Sequence, residues 1–211
     1  MGGPHEQLEQ AEHAEHAAHS NKKIALVIAI LALGLAFSET LGKSAQTTAL
    51  TDNIKSSDTW SFFQAKTIRQ TTLRTAAEAM TAVTPGMSND EVKAAMTKQI
   101  DAWKRTVARY ESEPETNEGR KELMARAQAA ERDRDLFLAK YHQYEFASAA
   151  YQIGIVLASS AIITGILALA YAAGALGILG VAFTGLGLLA PEAMHDAMHW
   201  IEHLFRASGT H

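Results

Sequence analysis

Residues 24–42 read IALVIAILALGLAFSETLG, and they lie between two lysine ends at Lys23 and Lys43. About 15 uncharged, mostly aliphatic residues precede Glu39, the first acid of the stretch. At ~1.5 Å per residue, a helix over this stretch is long enough to cross a bilayer core of ~30 Å. It begins after about 20 polar residues, and no small-residue cleavage site follows it. We therefore expect a retained transmembrane helix over residues 22–42.

A second apolar block covers residues 146–190 and contains no charged residue. It is long enough for two crossings, and we expect the turn at Tyr171–Gly174. This divides the block into transmembrane helices over residues 148–171 and 174–190. The second is short, so whether it crosses completely is left open.

The intervening residues 43–147 are hydrophilic and are expected to form helices. Pro85-Gly86 predicts a stop, and Ser88 with Glu91 has the spacing of a capping box for the next helix. No Gly or Pro lies between Gly119 and Gly154, so a third helix can run into the second apolar block. Its heptad spacing predicts a coiled-coil seam with one charged interruption. The seam positions are Leu123, Ala127, Ala130, Arg134, Phe137, Tyr141, Tyr144, Ser148 and Tyr151.

This hydrophilic segment starts and ends at the membrane, so three antiparallel helices of equal length would finish at the wrong end. Either the first helix breaks near Ser56-Ser57-Asp58, or the middle helix lies across the tip. We favour a stalk of the first and third helices, with the middle helix folded against its far end. Trp60, Phe62 and Phe63 are expected to be core residues of this stalk.

Both tails are rich in histidine. Residues 1–21 form an acidic tail, and residues 191–211 predict an amphipathic helix lying in the membrane interface. The weak candidates for metal ligands are His195, His199, His203, His13 and His16. Residues 195–199 read HDAMH rather than HExxH, which does not support a hydrolytic zinc site. We expect solvated tails and no obligatory metal.

These patterns predict an all-α integral membrane protein with three transmembrane helices, a cytoplasmic helical coiled-coil stalk and a C-terminal amphipathic helix. The 211 residues carry a net charge of −4 and no cysteine, which excludes disulfides, thiol catalysis and a general polyanion-binding design. No phosphate loop, nucleophile elbow or acid–base motif is present. We expect no enzyme activity, no cofactor and no nucleic acid partner.

Positive residues near the crossings predict the orientation. With residues 43–147 and the C-terminal tail in the cytoplasm, six nearby positive residues lie inside and two, Lys22 and Lys23, lie outside. The six are Lys43, Lys55, Arg132, Arg134, Lys140 and Arg206. We expect the N-terminus outside and the C-terminal tail inside.

Small residues at helical spacing in the crossings, among them Ala25, Ala29, Ala32 and Ala36, favour close helix packing in lipid. Together with the seam, they predict a membrane-anchored interaction or scaffold protein that self-associates, or one with another membrane-protein partner. The alternative is a small transporter, channel or divalent-metal-handling protein, favoured by Glu39 and the histidine tails. Glu39 lies one turn from Lys43, which indicates the headgroup level.

The runs EHAEHAAHSNKKIALVIAILALGLAFSETLGKSAQTTAL at residues 12–50 and WSFFQAKTIRQTTLRTAAE at residues 60–78 resemble a family of uncharacterised bacterial membrane proteins. That family is known only as a domain of unknown function. The resemblance implies a bacterial inner-membrane location and no activity, and it transfers no catalytic or ligand residue.

Overall fold

A computed structural model of the chain describes residues 4–191, with their side chains from residue 22 onward. The described chain is helical: α1 spans Pro4–Val83, a short 3-10 turn follows at Thr84–Gly86, and then come α2 (Asp90–Glu111), α3 (Arg120–Thr164) and α4 (Leu167–Leu189). No strand occurs within residues 4–191, which confirms the all-α prediction. By length and composition, α1, α3 and α4 are each able to span a membrane.

The helices form two compact units. The first unit contains Met1–Thr48 and Leu136–His211, and the second contains Ala49–Asp135. Both α1 and α3 contribute to each unit because neither helix breaks at the boundary.

One face of α1 is buried, and its buried members are three, four or seven residues apart, as expected for one side of a helix. In the first unit the buried members of this face are Ile24, Leu31, Ser38, Gly42 and Ala45. In the second unit they are Ala49, Ser56, Thr59, Lys66, Gln70 and Ala77. Ser56 lies inside this face at 3% exposure and α1 is unbroken there, so the alternative of a break near residues 56–58 is wrong.

In the second unit, α2 and α3 both pack along α1, and α1 has no break. Gln70 of α1 contacts Val107 of α2, and Lys66 lies farther along α2 toward Glu113. Trp60 contacts Glu131 of α3, and the Arg120 end of α3 lies beside Gln70. Both α2 and α3 therefore run antiparallel to α1, against successive parts of it. The middle helix does lie against the far part of α1, but alongside it rather than across a tip.

The N-terminus of α2 is capped by Asn89, not by the predicted Ser88. Asn89 is extended (φ −97°, ψ 117°), and its Oδ1 accepts hydrogen bonds from the amides of Glu91 at 2.9 Å and Val92 at 3.2 Å. Asn and Ser cap helices about equally well, so the sequence alone does not decide between adjacent candidates.

The turn between the last two apolar helices lies at Gly165-Ile166, and the prediction of Tyr171–Gly174 is wrong. Gly165 has a φ of 71°, and its amide donates to Ala161 O at 2.9 Å, as in a left-handed helix C-terminus. Residues 171–174 lie inside α4. Only Gly adopts this conformation without strain, but several glycines in the block could have supplied it.

The predicted seam of α3 faces the interior of the chain over part of its length. Leu123, Ala127, Ala130, Tyr144 and Tyr151 are buried. The other seam positions are half-buried: Arg134, Phe137, Tyr141 and Ser148. Burial at this spacing supports helix pairing, while supercoiling remains a prediction.

The charged seam residue Arg134 and the three aromatic residues expected in the core are half-buried or exposed rather than buried. Arg134 pairs with Asp135 at 2.9 Å and is 3.5 Å from Asn53 Oδ1. Trp60 and Phe63 are half-buried, whereas Phe62 is exposed. Phe62 is therefore not a core residue.

Exchanging two glycines for alanine tests the position of the turn. We expect Gly165→Ala to destabilise the protein by about 1 kcal/mol, because an alanine side chain is strained at this φ. We expect Gly174→Ala to stabilise it by about 0.5–1 kcal/mol, because Gly174 is helical and a methyl group there meets nothing within 4 Å. Thermal unfolding in mild detergent measures both; the reverse order would place the turn at Gly174.

Candidate functional site

The first unit is organised by a tyrosine that lies between two glycines. A methyl group on Gly34 of α1 would lie 2.8 Å from the Tyr151 ring, and one on Gly180 of α4 would lie 2.7 Å from it. These distances are too short for any side chain, so both positions require glycine. Tyr151 itself is 5% exposed. The three apolar helices therefore meet where two of them have no side chain.

Two further contacts repeat this arrangement. Tyr144 lies against Gly187 of α4 and Gly42 of α1, and Leu31 lies against Gly177. The glycines of the last apolar helix, which the sequence marks as a close-packing stripe, are thus used within one chain at these positions. The alanines of the first stretch behave differently: Ala25, Ala29, Ala32 and Ala36 are exposed.

Ser38 and Thr184 are buried polar residues within the apolar helices. Thr184 donates to Gly180 O at 2.8 Å, so the buried Ser38 hydroxyl is the donor in its 2.9 Å bond to Thr184. Glu39 is exposed, and its Oε1 is 3.4 Å from Gln152 Nε2. This arrangement places Glu39 beside another exposed polar residue.

A groove of about 690 Å³ opens in the first unit between α1 and α4. Its lining is almost entirely apolar, from Val27, Leu33 and Phe37 on α1 to Ile178 and Val181 on α4. Gly174 and Gly177 both line it, and Gly174 leaves it open, because a side chain there would meet nothing within 4 Å. This volume is within the range of small-molecule binding sites.

The second unit contains a polar junction, which we define as the buried Lys66 and Gln70 and the half-buried Glu111, Arg120 and Glu122 with their partners. The Lys66 side chain is 7% exposed and lies 3.5 Å from Glu113 and 3.8 Å from Glu118. It also donates a short hydrogen bond to Glu118 O. A buried ammonium group needs such partners, because an unpaired charge inside a protein is strongly unfavourable.

Arg120 and Gln70 connect the three helices of this junction. Arg120 donates to Thr67 Oγ1 at 2.9 Å, to Gln70 Oε1 at 2.7 Å and to Glu111 Oε2 at 2.9 Å. Gln70, 3% exposed, in turn donates to Val107 O and to Glu111. The hydrogen bond from Gln70 holds the pKa of Glu111 below its ordinary value, against the opposing effect of desolvation; the charge of Arg120 acts in the same direction as Gln70.

The loop between α2 and α3 is closed by Glu122. Its Oε1 accepts from the Ser112 hydroxyl at 2.6 Å, and its Oε2 accepts from the Glu113 amide at 3.3 Å. The Ser112 bond is the main reason why the pKa of Glu122 lies below its ordinary value. Gly119 is buried here, and a side chain on it would collide with the backbone of Ser112 and Glu113. The junction pairs charges and holds two helix ends; its described residues include no activated nucleophile.

Opposite its buried face, α1 carries an exposed face without charge in the second unit. We call this the outer face, and its members are Leu50, Ile54, Ser57, Ser61, Ala65, Ile68, Thr72, Thr75, Ala79 and Val83. They recur every three or four residues, and all of them are exposed. Ile54 is 61% exposed and Ile68 is 66% exposed. All seven charged residues of α1 in this unit lie elsewhere: Asp52, Lys55, Asp58, Lys66, Arg69, Arg74 and Glu78.

The predicted metal ligands lie outside the part of the chain whose side chains are described. This applies to His13 and His16 in the N-terminal tail and to His195, His199 and His203 in the C-terminal tail. Among residues 22–191, no group of three or more His, Cys, Asp or Glu side chains is arranged to hold a metal. The histidines remain candidates from the sequence only.

Sequence reasoning missed the polar junction because it searched for apolar periodicity. Lys66 and Gln70 occupy the same repeating face of α1 as Ala49, Leu73 and Ala77. Polar residues at seam spacing are the signal that could have found it, since a charged residue at such a position needs a partner in the facing helix.

Acidification tests the junction. The carboxylates of Glu111 and Glu122 have lowered pKa values, so they stabilise the fold above about pH 4.5, and this contribution is lost as the pH falls through the folded-state pKa. We expect the melting temperature to fall below that pH, and to fall less steeply in Glu111→Gln and Glu122→Gln. Glu115→Gln, an exposed loop control, should follow the parent chain; equal slopes in all four proteins would contradict this role.

The family comparison agrees with the architecture. A family model described as "Domain of unknown function (DUF4337)" matches residues 20–190, which include the three apolar helices and the polar junction. No curated protein and no solved structure matches the chain. The match covers well over half of the chain, and the protein therefore belongs to the DUF4337 family, a domain of unknown function.

Proposed function

We propose that the protein is a membrane-anchored helical scaffold that self-associates through the outer face of α1 and carries no catalytic activity. The three apolar helices are the anchor, residues 43–147 lie in the cytoplasm, and the membrane is the bacterial inner membrane. The observation that carries the proposal is the outer face itself, because a water-facing helix surface of this length ordinarily contains charges.

The dimensions of the outer face favour a helix as its partner. From Leu50 to Val83 the face runs for about 50 Å at ~1.5 Å per residue. Its side chains are small or β-branched apart from Leu50, which lets another helix approach closely. Two of its four polar members, Ser61 and Thr72, donate to carbonyl groups of their own helix, at Ser57 and Ile68.

The absence of charge on this face favours a second copy of the chain. A two-fold symmetric interface brings the same residues of two copies together, so any charge on it would meet its own sign. The outer face avoids this repulsion along its whole length. Anchoring in one bilayer also holds two copies in the same orientation, which matches a parallel pairing of α1 with α1. The exposed alanines of α1 in the first unit are small residues of the kind that allow close helix packing in lipid.

Cysteine cross-linking tests this pairing, and the natural chain has no cysteine to interfere. In a parallel pair, Ser61→Cys and Ile68→Cys should each form a disulfide-linked dimer in native membranes under mild oxidation. Arg69→Cys is the matched control, because Arg69 is exposed but lies about 100° around the helix from Ile68.

A second measurement separates pairing from chance collision. Ile54→Glu combined with Ile68→Glu places like charges within the interface and should convert the detergent-solubilised dimer to monomer. Val92→Glu, on the exposed surface of α2, should leave it dimeric. Equal cross-linking at positions 61, 68 and 69, or a monomeric parent chain by native mass spectrometry, would refute self-association through this face.

The orientation requires its own test. Gly86→Cys places a thiol at an exposed position with nothing within 4 Å of its Cβ, and Gly2→Cys places one near the N-terminus. In intact cells, a membrane-impermeant maleimide should label the cysteine at position 2 and should label the cysteine at position 86 only after lysis. The opposite result would place residues 43–147 outside the cytoplasm. Extraction of the whole protein by alkaline carbonate would refute the membrane anchor itself.

A further inference from the structure

The groove of the first unit contains one polar group in an apolar lining. Tyr151 is 95% buried as a residue, and its hydroxyl lies beside Gly34 at the groove. Among the described residues this hydroxyl has no hydrogen-bond partner. The hydroxyl itself is open toward the groove, and a donor without a partner in an apolar lining favours a ligand that carries an acceptor.

The length of the groove fits one leaflet of a bilayer. Along α1 it runs from Val27 to Phe37, about 15 Å at ~1.5 Å per residue. This is half of a hydrocarbon core of ~30 Å, the depth that one acyl chain occupies. The walls facing it are aliphatic and aromatic, and no charged residue lines the groove.

The hydroxyl lies toward the polar end of the groove. Gly34, its neighbour, is about 7.5 Å along α1 from Glu39 at ~1.5 Å per residue. Glu39 and Gln152 are exposed polar residues 3.4 Å apart, and they mark the expected headgroup level. A donor just below that level faces the region where the ester carbonyls of membrane glycerolipids lie.

From these observations we propose that the groove binds the acyl chain of a diacyl phospholipid, with the Tyr151 hydroxyl donating to its ester carbonyl. The inference rests on the membrane location proposed above, but not on self-association. Gly174 has a defined role in it, because its missing side chain leaves space that the acyl chain occupies.

The first test removes the donor and the acceptor separately. Delipidated protein in detergent is titrated with dioleoyl phosphatidylethanolamine, or with the diether analogue that lacks both carbonyls, and bound lipid is counted by native mass spectrometry. The parent chain should bind the ester lipid about fivefold more tightly than the ether lipid, as expected for one net hydrogen bond. Tyr151→Phe should bind both lipids with the weaker affinity. Tyr144→Phe, the other buried tyrosine of this unit, should keep the preference, since Tyr144 does not line the groove.

The second test fills the groove. Gly174→Leu places a side chain where nothing lies within 4 Å, and it should abolish the tightest-bound lipid without loss of folded protein. Gly185→Leu is the matched control, because Gly185 is on the same helix, is equally free of neighbours and lies outside the groove. Full lipid binding by Gly174→Leu, or no ester preference in the parent chain, would overturn the proposal. If Gly174→Leu instead lost the dimer and kept the lipid, the groove would belong to an interface between two copies.

The two proposals fail in different ways. Loss of the ester preference with an intact dimer refutes the lipid site alone. A monomeric parent chain that retains the ester preference refutes self-association alone. Extraction from membranes by alkaline carbonate removes the basis of both.

Discussion

Close approach of the apolar helices depends on side chains packed against glycine backbone, above all on the Tyr151 ring between Gly34 and Gly180. In lipid, apolar burial does not drive helices together, so association depends on packing and on backbone proximity. A large ring against two bare stretches of backbone gives both. Gly34 and Gly180 admit the ring, whereas Gly174 leaves the adjacent groove open. Helix packing and the groove therefore depend on different glycines of this unit.

The second unit uses a different physical principle. Its helices meet through a junction of hydrogen bonds and ion pairs around Lys66, Gln70 and Arg120. Such pairs add little net stability compared with apolar packing, since their desolvation offsets much of the attraction. Their geometry is restrictive, however, because a shift of one helix would leave the buried charge of Lys66 without a partner. We regard this junction as the feature that specifies how α2 and α3 align along α1.

The small residues of the apolar helices have two distinct roles. Glycines of α4 pack against Tyr144, Tyr151 and Leu31 within the chain, so they supply no argument for association between copies. The small residues available to another copy are those of α1, whose alanines in the first unit and outer face in the second are exposed. A stripe of small residues in a sequence does not distinguish these cases. Only the identity of the facing helix does.

Hydropathy and helix-breaking residues in the sequence were sufficient to predict an all-helical chain, three helices able to span a membrane and the stop at Pro85-Gly86. These properties are local, because transfer free energy and backbone strain add up residue by residue along the chain. Tertiary structure decided the rest: the turn at Gly165 rather than Gly174, the unbroken helix through Ser56, and the burial of Lys66 and Gln70. Each of these depends on what another helix places opposite the residue. A glycine can serve equally as a turn, a ring contact or a groove, and its neighbours in space determine which of these it becomes.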